Sequence, residues 1–324
     1  MIFEIANQAA AIYNRSMDGL LVIDKPAGCT SHDVVAQVRR ILREPSVGHT
    51  GTLDPFATGV LILLVGRATR LAQFLKDNEK EYEAVIRLGY ATDTGDITGA
   101  PLEETRLEPI LNESEIEAAL LSLRGEMDQV PPMYSAKKKG GRKLYELARR
   151  GLSVERAPVH VCIHELEPIT DGNPLLKDNR DGTRDLEVRV VCSAGTYIRT
   201  LAEEFGKRLG TSAHLAELRR TRAGEFSLDV AATLEQLKLS VDEESIGTIL
   251  RPPDAALSRM PFVHLTADEE RRARHGQDVR AGQAGWPDRT GIRMLDPRGN
   301  LIGVGYFDEK KLVLHPRIVL PVQK

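Results

Sequence analysis

The chain lacks the marks of a secreted or membrane-embedded protein. Its 324 residues include three cysteines, Cys29, Cys162 and Cys192, an odd and widely spaced set. Such a set excludes a disulfide framework and a CxxC-type metal site, and points to free thiols in a reducing compartment. No apolar run approaches the roughly 20 residues needed to cross a bilayer. Residues 1–16 contain Glu4 and no long apolar core, so they do not read as a signal peptide. A cytoplasmic protein is expected. Positive charge is not in excess either: the formal net charge is −3, which as an average argues against a nucleic-acid partner.

The average hides a partition. Residues 100–128 carry eight acids against Arg106 and Arg124, a net of −6, whereas residues 134–156 carry eight bases against Glu146 and Glu155, a net of +6. Screening over about 8–10 Å lets a phosphate backbone respond to the local basic patch and ignore the distant acids. With 41% apolar and 28% charged residues the composition is that of an ordinary globular protein, and the length suits about two domains.

One loop organises the rest: Gly48-His49-Thr50-Gly51-Thr52-Leu53-Asp54-Pro55-Phe56-Ala57-Thr58-Gly59. Asp54 is its single carboxylate, and Pro55 pushes it out of the helical region. Glycines at 48, 51 and 59 let the main chain turn tightly and a ligand come close. Taken alone, Asp54-Pro55 reads as an ordinary turn. Before it, residues 18–24 read as a buried strand, and Thr30 or Ser31 caps a helix bearing Val34, Val35, Val38, Ile41 and Leu42. After it come a strand over 60–65 buried on both faces, a short helix over 69–75, and residues 80–88, whose alternation turns Tyr82, Ala84, Ile86 and Leu88 inward.

The loop GHTGTLDPFATGVL resembles the active-site motif of the TruB family of tRNA pseudouridine synthases, which isomerise uridine 55 in the T-loop. Two further stretches, SAGTYIRTLAEEFG from Ser193 and HLAELRRT from His214, are similar to the family's other signatures. The resemblance covers about residues 17–319. It implies an α+β fold, with a mixed, largely antiparallel central sheet and flanking helices, followed by a small C-terminal β-barrel of PUA type. It implies Asp54 as the catalytic carboxylate, Arg199 as its partner, and Tyr82 stacked on the target base. Tyr197 would line the uridine pocket, Leu218 would pack on the base, and His49 would fill the hole left by the flipped nucleotide. Lys25, in the DKPAG turn, is grouped with these substrate-binding residues as a support for the loop. VPPMYSAKK and the basic stretch after it resemble a thumb, about residues 130–152, that closes on the T-loop; Gly140 and Gly141 suit a segment that orders when RNA arrives. Ala194 stands where a charged residue is more usual, which removes a peripheral phosphate contact.

The resemblance further implies a monomer acting on tRNA without cofactor, metal, membrane, protein partner or guide RNA. Binding or remodelling RNA without catalysis is the competing reading, since the basic thumb and terminal barrel need only phosphates and shape; a guide-RNA-dependent synthase is a third. The expected organisation is an extension over 1–16, with Met17 as a second candidate start, a catalytic domain over 17–255 and an RNA-binding domain over 256–324. Residues from Phe262 onward carry eleven bases against eight acids. Three other features are set aside. Asp93-Thr94-Gly95 matches the aspartic protease triplet but has no second copy. His160, Cys162 and His164 share one strand face but span about 13 Å, too far for one ion. Residues 171–185 read as a polar insertion or hairpin loop, and Pro252 to Met260 as a linker.

Overall fold

The computed structural model describes residues 17–76, 78–102, 112–170, 172, 174–281 and 285–320. The extension over 1–16 and much of the acidic stretch, 103–111, therefore lie outside the described residues.

Strand β1 (Gly19–Lys25) leads through the turn at Gly28 into helix α1 (Ser31–Leu42), then β2 (Val47–His49), β3 (Thr58–Val65) and β4 (Lys80–Leu88). Thr30 is the N-cap: its side chain accepts from the Asp33 amide, and the Asp33 carboxylate accepts from the Thr30 amide. Helix α2 (Glu113–Leu121), β5 (Gly125–Gln129), the tiny strands β6 (Lys138–Lys139) and β7 (Arg142–Lys143) and helix α3 (Leu144–Ala148) follow. Then come β8 (Val159–Pro168), β9 (Lys177–Asp178), β10 (Arg184–Cys192), helix α4 (Ile198–Arg208), β11 (Ala213–Ala223), β12 (Phe226–Ser227) and helix α5 (Leu234–Asp242). The remainder is β13 (Phe262–His264), helix α6 (Ala267–Arg274), β14 (Val279–Arg280), β15 (Gly291–Leu295), β16 (Leu301–Asp308) and β17 (Val313–Val319).

The main sheet runs β1-β3-β11-β4-β10-β8-β5, with β2, β9 and β12 on its margins. Its pairs are antiparallel except β3 with β11, so the α+β, mixed-sheet expectation holds. β3 shows why residues 60–65 are apolar throughout: Val60, Ile62 and Leu64 enter one core, while Leu61, Leu63 and Val65 enter another beneath α1 and α5. A third core, between β4, β8, β10, β11 and helices α2 and α4, takes Tyr82, Ala84, Ile86 and Leu88 from β4. The C-terminal five strands, in the order β13-β15-β16-β17-β14, form a separate sheet with its own core around Ile292, Met294 and Phe307.

Two sequence expectations change, and two gain detail. Residues 69–75 belong to a longer 3-10 stretch, Gly66–Phe74, entered through Gly66 at φ +60°. The stretch from Pro252 is no linker: it contains the 3-10 turn Pro253–Leu257, whose Ala256 and Leu257 share one core with Val22, Val60, Val304 and Ile318. The main sheet and the C-terminal sheet thus meet through apolar packing. Gly140 and Gly141, at φ +58° and +83°, form the two-residue turn of the β6–β7 hairpin, a turn that demands two positive φ values. Between β9 and β10 the polar insertion is a hairpin closed at Asn179 and Thr183.

Candidate active site

The loop that carries Asp54 is fixed from four directions. On either side of Asp54, Leu53 and Ala57 bury their side chains in the core shared with Tyr82. Ser31, the other cap candidate, instead uses its hydroxyl on the loop, accepting from the Leu53 amide at 2.9 Å and donating to the Leu53 carbonyl at 3.2 Å. The Pro55 carbonyl accepts from the Gly28 amide at 2.9 Å and from Lys25 Nζ at 3.3 Å. Between them the chain makes a tight turn, Ala57 N donating to the Asp54 carbonyl, so this segment is a turn in which one carboxylate is left pointing out.

That carboxylate meets Arg199 side-on: Nη2 lies 3.1 Å from Oδ1 and Nε 3.0 Å from Oδ2, the bidentate geometry that fixes both partners. Arg199 sits in the first turn of α4, where the helix dipole disfavours a cation. Two carboxylates offset that. Asp96 Oδ2 is 3.4 Å from Arg199 Nη1, and the carbonyls of Thr94 and Tyr134 accept from the same guanidinium at 3.0 and 2.7 Å. Asp96 is held in turn by the hydroxyls of Thr94 and Thr98 and the Thr98 amide. Ahead of Arg199, the N-cap Tyr197 has no side-chain cap of its own; the Gln129 side chain accepts from its amide at 2.9 Å and donates to its carbonyl at 3.4 Å.

The ion pair lies at the floor of a cleft of about 270 Å³, lined among others by Asp54, Tyr82, Tyr197, Arg199, Leu218 and Arg220. Side-chain exposure falls from 29% at Asp54 to 4% at Arg199, so water reaches the acid and not its partner. Burial pushes the Asp54 carboxyl above its ordinary range, and the Arg199 charge pulls it back. Burial likewise raises the phenols of Tyr82 and Tyr197.

Five of the seven sequence-named residues therefore share one cleft, and two stand outside its lining. His49 packs its ring edge-on to His32 at 5.2 Å, and burial drives its imidazole down to about 4, so it is neutral near pH 7. Lys25 is fully buried beneath the loop, its ammonium donating to the carbonyls of Pro26, Cys29 and Pro55; it holds backbone and does not face the cleft. His160 pairs with Asp128, and Cys162 lies 3.6 Å from His164; no group of three metal-ligating side chains occurs among the described residues. No helix among them is long and apolar enough to cross a membrane.

Family models match the stretches that carry this loop and helix. The N-terminal domain of TruB family pseudouridylate synthases matches residues 39–198, and the tRNA pseudouridylate synthase B C-terminal domain matches residues 199–258. The chain belongs to the TruB family. Within it, tRNA pseudouridine synthase B of Cupriavidus metallidurans is 42% identical over 95% of this chain and 96% of that one. The Solibacter usitatus protein of the same name is 42% identical over 94% of this chain and all of its own. A chain from a solved Cbf5-Nop10-Gar1 complex is 26% identical, with a TM-score of 0.70 over 97% of this chain and 86% of that one.

Two residues of this TruB-family site went unread in the sequence. Asp96 follows a triplet that reads as a plain loop, and nothing local ties it to an arginine 103 positions away. Arg220 lies in the basic run Arg219-Arg220-Thr221-Arg222, but the two-residue period from Leu218 turns it inward, the one signal that marks it.

Proposed function

We propose that this protein isomerises uridine to pseudouridine at position 55 in the T-loop of tRNA, with Asp54 as its catalytic carboxylate. The observation that carries the reading is the bidentate Asp54–Arg199 pair on the floor of a cleft whose wall includes Tyr82. Pseudouridine formation breaks the bond between C1′ and N1, turns the uracil, and joins C1′ to C5 with loss of the C5 proton. The detached base stays in the pocket and no water is consumed. One carboxylate therefore suffices, where a retaining glycosidase needs two. Attack of Asp54 on C1′ and removal of the 2′ proton both require it ionised, and the Arg199 charge supports that state against burial. The cleft has room for a base and its sugar but not a helix, so the target nucleotide leaves its stack, at a cost of a few kcal/mol offset by contact with Tyr82 and Leu218.

In this reading the chain works in the cytoplasm as a monomer, without cofactor or metal. Residues 17–255 form the catalytic domain, and residues 256–324 a PUA-like unit that grips RNA. Lys137 lines the cleft, the β6–β7 hairpin that follows carries Lys138, Lys139, Arg142 and Lys143, and together they serve as a thumb on the T-stem. The Cbf5 likeness favours a second reading, a synthase that works with partner proteins; the basic thumb favours the stand-alone form. A bare T-stem-loop containing 5-tritiated uridine, incubated with the purified chain alone, decides: tritium release with the modification mapped to position 55 supports the proposal. No release from the stem-loop, with tRNA bound normally, refutes it.

A further inference from the structure

Arg220 is the largest fully buried side chain of the described residues, 1% exposed, and it ends beside the reaction cleft. Its strand position explains how. In the β11–β4 ladder Arg220 lies opposite Tyr82 and Leu218 opposite Ala84. Register shifts on both sides of this segment, between Leu215 and Glu217 and between Arg220 and Arg222, isolate a short stretch that faces inward while Arg219 and Arg222 pair with Asp24 and Glu79 outside. The guanidinium is then pinned by the Asp54 loop at both its ends: Nε donates to the Val60 carbonyl at 2.7 Å, and Nη2 to the Gly51 carbonyl at 3.1 Å.

The third nitrogen, Nη1, is buried and has no hydrogen-bond partner, an expensive condition for a charged donor. The β-ladder sets a candidate acceptor: Tyr82 stands directly opposite Arg220, and both side chains line the same cleft. Resting on the pseudouridine synthase reading, we propose that Arg220 is a positioning residue of the reaction. Its pinned guanidinium donates Nη1 to the phenolic oxygen of Tyr82 and fixes the ring and hydroxyl in one orientation toward the detached uracil. Catalytic hydrogen bonds that are long in a free enzyme tighten when substrate fills the site, and closure of the cleft on a nucleotide supplies that compression here. The phenol thereby cannot rotate away. The Arg220 charge also opposes the upward push that burial exerts on the Tyr82 phenol.

The test is single-turnover tritium release with enzyme in excess, alongside tRNA binding, for wild type, Arg220→Met, Arg220→Lys, Tyr82→Phe and the double variant Tyr82→Phe/Arg220→Met. Arg220→Met is expected to slow release about 10- to 100-fold, the range of one charge-assisted hydrogen bond, with tRNA affinity unchanged. Arg220→Lys recovers part of the loss, because one ammonium cannot serve loop and phenol together. In the Tyr82→Phe background Arg220→Met adds little, since the hydroxyl through which it acts is gone. Losses that multiply in the double variant, or an effect confined to affinity, overturn the proposal and leave Arg220 as a loop brace. Should Arg220→Met fail to fold, the same cycle with Arg220→Lys decides on the same criterion. A wild-type protein that releases no tritium refutes the function itself, an outcome distinct from either result for Arg220.

Discussion

Replacing Arg199 by methionine removes charge and hydrogen bonding while keeping a long apolar stem. Four acceptors then lose a donor together: the carboxylates of Asp54 and Asp96 and the carbonyls of Thr94 and Tyr134. Removing one partner of a buried pair costs about 3–5 kcal/mol. Asp54 keeps some contact with water at 29% exposure, so we expect the lower end, about 3 kcal/mol, in denaturant unfolding. The same energy acts on protonation. Burial and the Asp96 charge already push the Asp54 carboxyl upward, and Arg199 is the chief opposing influence; without it the carboxyl is pushed higher still. About 3 kcal/mol applied to the ionised acid lowers the ionised fraction by at most about 150-fold, in full below the wild-type carboxyl pKa and not at all well above the variant's. Because the folded carboxyl is raised, the loss shrinks as pH rises and ionisation returns. Single-turnover tritium release between pH 6 and 9 would show a steeply rising limb in the variant. A variant whose loss is the same at every pH refutes the electrostatic account of the pair.

Changing Lys137, Lys138 and Lys139 to alanine should weaken tRNA binding and lower the slope of log affinity against log salt by as much as about 2–3, at about 0.7–0.9 for each phosphate no longer neutralised; an unchanged slope removes the thumb from the interface. His49, held down to about 4, is neutral when folded and charged when unfolded over the range between that value and its ordinary 6.5. Stability should therefore fall as pH drops through this window, and His49→Gln should flatten the fall; an NMR titration midpoint near 6.5 would contradict it. Gly59 has φ +102°, and a methyl there would overlap the Arg220 carbonyl in the parallel β3–β11 contact. Gly59→Ala is expected to cost about 3 kcal/mol or more from strain and overlap together, read as a lowered denaturation midpoint; a neutral change would mean that the β3–β11 contact gives way.

Much of the scaffold was legible because burial writes itself into periodicity. The β3 run is apolar at every position since each face meets a core, and β4 alternates since only Tyr82, Ala84, Ile86 and Leu88 turn inward. The ion pair was not legible in that way. Asp54 and Arg199 lie 145 positions apart, and only the resemblance of two separate motifs connects them. Asp96 stayed hidden because its role depends on where a turn is docked, not on its own sequence. Pro252 to Met260 misled for a different reason. Paired prolines suggest a linker, but two apolar residues, Ala256 and Leu257, are enough to plug a core between the sheets. Paired glycines carry the same ambiguity, since a flexible segment and a tight hairpin turn both ask for positive φ at Gly140 and Gly141.

The central claim is that one ionised carboxylate on this loop performs the reaction. Asp54→Asn keeps the shape and the hydrogen-bonding reach toward Arg199 while removing the charge. With 5-tritiated uridine in tRNA, wild type should release tritium, and the variant should bind with similar affinity and release none. Release by Asp54→Asn at a rate near that of wild type would contradict the account.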